Sequence, residues 1–145
     1  MRNQLFCYGT LCIAEIMRRV SGAVPAACAA VLPDYACHAL EGLAYPGIIP
    51  HKGEQVSGVL YTGLSRPQLA RLDAYEGEQY LRRRVWVIRE DGQRAQVWTY
   101  VLQPRYYHRL SSANWSLEQF KRDQLQLYLS HSYNKIYGMH GRDAH

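Results

Sequence analysis

The chain has 145 residues, 48% of them apolar, with a formal net charge of +5, which fits one globular unit with an ample core. Its longest candidate for a membrane segment, Ala23 to Leu32, is too short to span a bilayer and carries Pro25. The basic residues are scattered and accompany no nucleic-acid motif, so charge alone is a poor argument for nucleic acid as a partner.

Gln4 to Tyr8 is an apolar run before a glycine and reads as the first strand, which delivers its end to Gly9-Thr10-Leu11. Ile13, Ile16, Met17 and Val20 then recur at the spacing of an amphipathic helix, and Gly22 closes it. Ala26 to Leu32 reads as a strand broken at the turn pair Pro33-Asp34, with Tyr35 to Leu40 as its partner. The segment Tyr45 to Pro50 carries Pro46 and Pro50, so it reads as an ordered surface loop or edge rather than a regular central strand. Gln55 to Tyr61 alternates as a strand, with Gly58 leaving room for something packed closely over it.

Leu64, Leu69 and Leu72 mark the apolar face of a helix that Ser65 caps, Pro67 opens and Gly77 ends in a left-handed conformation. Glu76 stands in the last turn of that helix, facing the negative end of the macrodipole, where a charged carboxylate is disfavoured. Tyr80 to Arg89 and Arg94 to Leu102 flank Asp91-Gly92 as a hairpin. Gln103 to Asn114 reads as a connecting loop, and Ser116 with Gln119 forms a capping box ahead of a final helix that runs to about His131. Residues 1–131 are thus expected to form one domain, with 132–145 a polar, loosely held tail.

Many short strands with helices interspersed give α+β with a mainly antiparallel sheet. The strands and the glycines at their bends fit a sheet curled into a small barrel. Twelve tyrosines suit a core and a polar pocket lined by aromatic rings. Cys7, Cys12, Cys28 and Cys37 match no zinc or CxxC spacing and read as small buried hydrophobes in a reducing cytoplasm. The histidines show no metal-ligand spacing, and nothing in the sequence prepares Cys7 as a nucleophile. Neither a metal nor a cofactor is expected.

The segment Leu72-Asp73-x-Tyr75-Glu76-Gly77-x-x-Tyr80-x-Arg82, preceded far upstream by Tyr8-Gly9-Thr10-Leu11, resembles the gamma-glutamylcyclotransferase-like family, in particular its short AIG2-like branch. The pairing of the two motifs carries the resemblance, which extends from about Leu5 to Leu129. It implies a compact β-barrel with helices packed outside and a cavity at one end. It also implies a reaction on a small γ-glutamyl substrate: the substrate's own α-amine attacks the γ-carbonyl, giving 5-oxoproline and a released amine.

In that resemblance Glu76 matches the catalytic acid/base, whose pKa should lie nearer operating pH than its ordinary value of about 4.3. Read from position alone, Glu76 could equally form an ion pair with Arg82 or Arg84. Tyr8, Gly9, Thr10 and Leu11 would supply a backbone cradle for negative oxygen, since glycine after a strand admits close approach to a ligand. Tyr80 and Tyr100 match positions that the family places over the cavity, for substrate positioning. The chain departs from the family at Cys12-Ile13-Ala14, where many members carry a basic, glycine-containing continuation. The alternative function is an AIG2-like module that binds a small carboxylate without turnover.

Overall fold

The structure is a computed structural model that describes residues 3–131; the expected polar tail lies outside the described residues. Five strands, β1 (Asn3–Cys7), β2 (Ala26–Ala39), β3 (Pro46–Leu64), β4 (Tyr80–Arg89) and β5 (Arg94–Leu102), form a closed barrel in the order β1-β3-β2-β4-β5. All pairings are antiparallel except that of β1 with β5, so the mainly antiparallel barrel expected from the sequence is what forms. The helices are α1 (Ala14–Ser21), α2 (Arg66–Glu76), α3 (Leu117–Asp123) and α4 (Leu125–His131). Among the described residues no helix is long and apolar enough to cross a membrane.

Strand β1 is apolar and buried over Leu5, Phe6 and Cys7 because both of its faces are covered there. Phe6 joins Leu32, Ile48, Val56, Leu60, Val85, Val87 and Val97 in a cluster drawn from all five strands, which fills the barrel. Leu5 and Cys7 face the other way, into a second cluster with Ile16, Met17, Leu69, Leu72 and Phe120 from the helices. The same alternation divides β5, where Val97 and Val101 point in and Tyr100 and Leu102 point to the helices. Thr99, between them, is fully buried and donates its hydroxyl to the Phe6 carbonyl at 2.9 Å.

Three sequence expectations need correction. Pro33-Asp34 does not break a strand: β2 runs on to Ala39 through a bulge, with Asp34 at a φ of 65° and its carboxylate accepting from the Gly53 N–H at 3.0 Å. The register there jumps from Pro33 opposite Gln55 to Tyr35 opposite Pro50, so both long strands bend together. Of the two readings of Pro46 to Pro50, the loop fails and the edge holds: it is the first part of β3, paired on one side only, with Ile48 fully buried. Its prolines are tolerated because this part pairs with β2, while β1 pairs farther along β3, at Val59 to Leu64. The expected final helix is two, separated at Gln124, whose φ of −130° leaves the helical range. On a continuous helix Phe120 and Tyr128 would stand about 80° apart; the break lets their rings meet edge to face, centroids 5.3 Å apart.

The connector after β5 is more ordered than a plain loop: it holds a 3-10 turn over Pro104–Arg109, and Leu110 bridges back to Leu40. Gly58 has the role foreseen for it. A Cβ on Gly58 would lie 2.2 Å from the Cys7 carbonyl oxygen and 2.7 Å from the Phe6 ring, so β3 crosses β1 where only hydrogen fits. Gly58→Ala should therefore lower stability by at least about 2 kcal/mol. A urea melt of the variant beside wild type checks this; an unchanged midpoint would mean that the crossing is not tight.

Candidate active site

A cavity opens at the end of the barrel where β1 runs out. Its enclosed space is small, about 30 Å³, and reaches about 400 Å³ only when the open mouth is counted; Tyr8, Gly9, Thr10, Leu11, Glu76, Tyr80 and Tyr100 all line it. Every site residue expected from the sequence is thus brought to one place. Tyr45, Pro46, Tyr75 and Tyr128 line it too and were not foreseen as site residues. Tyr45-Pro46 belongs to a proline segment that drew attention only for its backbone, Tyr75 stands beside Glu76, and Tyr128 carried no signal beyond a helix face.

The cradle segment differs from expectation in one respect. Gly9 does not lead directly into α1: Thr10–Cys12 form a 3-10 turn, closed by Cys12 N–H on the Gly9 carbonyl and Ile13 N–H on the Thr10 carbonyl, both at 3.0 Å, before α1 begins. The turn is tied from two sides. Tyr61 donates to the Leu11 carbonyl at 2.7 Å, and the Thr10 hydroxyl lies 3.2 Å from that of Tyr75. A Cβ on Gly9 would stand 3.1 Å from the Pro46 ring, so the turn and the start of β3 close on each other here.

Helix α2 brings Glu76 to the cavity and stops. Ser65 and Gln68 form the reciprocal cap at its start, and Gly77 N–H bonds the Asp73 carbonyl at its end. Gly77 adopts φ 81° and ψ −172°, which is not the left-handed helical cap foreseen but an extended region open essentially to glycine alone. The chain therefore leaves α2 sharply, directly into β4.

The arginine partner weighed for Glu76 goes elsewhere. Arg82 makes a two-pronged contact with Asp73, at 2.8 and 3.2 Å, and lies over the Trp98 ring at 4.3 Å; Arg84 lies over the same ring at 4.7 Å. Asp73 also accepts the Tyr100 hydroxyl at 2.6 Å. Asp73 was part of the quoted motif without a role, and it joins α2, β4 and β5 directly below the cavity. The other phenols are also tied to the frame: Tyr8 donates to the Tyr100 carbonyl at 2.7 Å and Tyr80 to that of Pro46 at 2.6 Å. These tyrosines offer the cavity chiefly their rings.

Comparison with known proteins gives this geometry a context. The profile of the family described as "Gamma-glutamyl cyclotransferase, AIG2-like" matches residues 5–117. The chain belongs to that family. It is 30% identical over 133 residues to AIG2-like protein D of Arabidopsis thaliana, covering 88% of this chain and 84% of that one. A solution structure of an Arabidopsis thaliana protein is 26% identical, covers 99% of this chain with 95% of its own, and superposes with a TM-score of 0.68. A structure described as gamma-glutamyl cyclotransferase shares the fold, with a TM-score of 0.65 at 18% identity over 94% of this chain and 88% of that one.

In this family member the cavity's ionisation pattern is uneven. Burial pushes the phenols of Tyr8, Tyr75, Tyr80 and Tyr100 well above the ordinary tyrosine value, and the negative charge of Glu76 adds to the effect at each. At Tyr100 the hydrogen bond to Asp73 is the next cause after burial. Burial likewise holds the Cys7 thiol protonated, which removes it as a nucleophile, and raises Cys12 to about 11. Among the described residues no three His, Cys, Asp or Glu side chains gather as a metal-holding group.

Raised phenol values carry a definite sign for stability. Above the unfolded value of about 10, the unfolded chain gives up tyrosine protons that the native state retains. The stabilisation is thus complete below pH 10 and is lost as pH rises beyond it. An ultraviolet titration of tyrosinate, run with circular dichroism, should find the cavity phenols ionising only together with unfolding; their ionisation in the folded protein near pH 10 would contradict the burial.

Proposed function

We propose that the chain is a γ-glutamylcyclotransferase, converting a small γ-glutamyl compound into 5-oxoproline with release of an amine, and that Glu76 is its general acid/base. The observation that carries this reading is the meeting of Glu76 with the Tyr8 to Leu11 turn on one cavity. The reaction makes one bond and breaks one. The substrate's α-nitrogen attacks its γ-carbonyl carbon, the tetrahedral centre forms, and the C–N bond to the leaving amine breaks.

In this mechanism Glu76 takes a proton from the α-ammonium group, which frees the nitrogen lone pair, and returns it to the departing nitrogen; the second proton that the ring nitrogen sheds after attack also ends on the released amine, which leaves as an ammonium. No net proton is consumed by the enzyme. Backbone N–H groups of the Gly9 to Leu11 turn stabilise the negative oxygen as charge develops. Neutral phenols suit such a step, because rings that stay uncharged exclude water without competing with Glu76 for protons. Tyr80 and Tyr100 fold the substrate into the shape of a ring, which saves much of the entropy of cyclisation.

A second reading has its own support: the Arabidopsis thaliana relatives bear AIG2 and AIG2-like names that state no reaction. On that reading the cavity binds a small carboxylate and turns nothing over. The two readings separate in one experiment, release of 5-oxoproline from a panel of γ-glutamyl compounds by wild type and by Glu76→Gln. Turnover should fall by about 10²–10⁴-fold in the variant. A variant as fast as wild type would refute the role of Glu76. A silent wild type, still stabilised to heat by small carboxylates, would establish the binding module.

A further inference from the structure

The family match ends at residue 117, yet the cavity has a wall from beyond it. Tyr128 on α4 lines the cavity and is only 9% exposed. Its ring is seated by a short aromatic series: Phe120 meets it edge to face at 5.3 Å, and Trp115 packs on Phe120 at 5.7 Å. The Trp115 indole N–H donates to the Ala44 carbonyl at 2.8 Å, beside the cavity residue Tyr45. Helices α3 and α4 are thereby fastened to the cavity rim at both ends of the series.

The hydroxyl of Tyr128 has a more specific connection. It hydrogen-bonds the hydroxyl of Tyr75, which lies 3.2 Å from the Thr10 hydroxyl. Thr10 is 5% exposed and sits at the centre of the turn that lines the cavity. Three hydroxyls in series thus join the C-terminal helix to the cradle, in surroundings dry enough for each hydrogen bond to hold a geometry. Tyr75 also precedes Glu76 on α2, so it is the common support of both halves of the site.

We propose that Tyr128 is a positioning residue of the site: its hydroxyl fixes Tyr75 and, through Tyr75, sets Thr10 and the backbone of the Gly9 to Leu11 turn. What the turn binds rests on the cyclotransferase reading; the link from Tyr128 to the turn rests on this chain's own hydrogen bonds. It follows that the C-terminal helices belong to the functional unit rather than merely covering the barrel. A purely structural tyrosine would contribute through its ring, and losing its hydroxyl would leave the turn where it was.

Tyr128→Phe keeps the ring and removes the hydroxyl. In full-length, isotope-labelled protein, the amide resonances of Gly9, Thr10 and Leu11 should shift or broaden, while those of the distant Asp91-Gly92 hairpin stay in place. Affinity for 5-oxoproline, measured by calorimetry, should fall by about three- to tenfold. Tyr75→Phe should do the same, and the double variant should be no weaker than either single one, because both interrupt one series. Turn amides at their wild-type positions in Tyr128→Phe, or additive losses in the double variant, would overturn the inference. Displaced amides in a protein that binds no 5-oxoproline would sustain the positioning role and refute the cyclotransferase reading instead.

Discussion

The close crossing of β1 over β3 is the constraint on which the rest depends. A short strand closes the barrel by pairing antiparallel to β3 on one edge and parallel to β5 on the other. It can do so only because β3 offers a glycine at Gly58, beneath the Cys7 carbonyl. Closure leaves β1 no solvent-facing side, so Leu5 and Phe6 are both fully buried, and burying such side chains is worth roughly 1.5–3 kcal/mol each. The direction of β1 then decides where the site lies. Its last residue, Cys7, is followed by Tyr8 and the turn, which line the cavity at the open end of the barrel.

Glu76 reaches the same end by a different route. Helix α2 is fixed at its start by a reciprocal cap and near its end by Asp73, whose carboxylate holds Arg82 of β4 and Tyr100 of β5. The Asp73 and Arg82 side chains are 41% and 26% exposed, so water screens their attraction and the pair adds little to stability. Its worth is geometric. Three directed hydrogen bonds on one carboxylate set the rotation of α2 against the hairpin, and Gly77 lets the chain turn away at once. Glu76 is consequently presented by a rigid helix end rather than by a mobile loop, which favours a group that must meet substrate at a set distance.

Among the described residues the cavity is lined by phenols and by the Glu76 carboxylate. Six tyrosines among the described residues line it, and those that donate to Pro46, Asp73 and the Tyr100 backbone are held in fixed orientations. A phenol suits this use because its ring is apolar enough to pack and its hydroxyl can satisfy a buried acceptor. Burial keeps these rings neutral. A charge set among such neutral rings acts more strongly on a bound ligand than it would in water.

Local chemistry was plain in the sequence. The Ser65 cap of α2, the Asp91-Gly92 hairpin, the strand ahead of Gly9 and the tight packing at Gly58 follow from residue types within a few positions of each other. The two motifs also brought Glu76 and the turn into one hypothesis before any coordinates. What failed were inferences that needed a partner strand. Pro33-Asp34 resembles a turn until β3 is seen to bulge opposite it, and Pro46 to Pro50 resembles a loop until β2 is seen to pair with it. The roles of Asp73, Tyr75 and Tyr128 depend on contacts across 9 to 65 positions of chain, a separation at which no local pattern survives. The sequence by itself determined most of the elements, the Ser65 cap of α2 and the pair of motifs, because those rest on backbone preference and neighbouring side chains. Only the tertiary structure decided that the barrel closes, that Arg82 answers Asp73, and that a C-terminal tyrosine joins the site, because each is settled by which distant surfaces pack together.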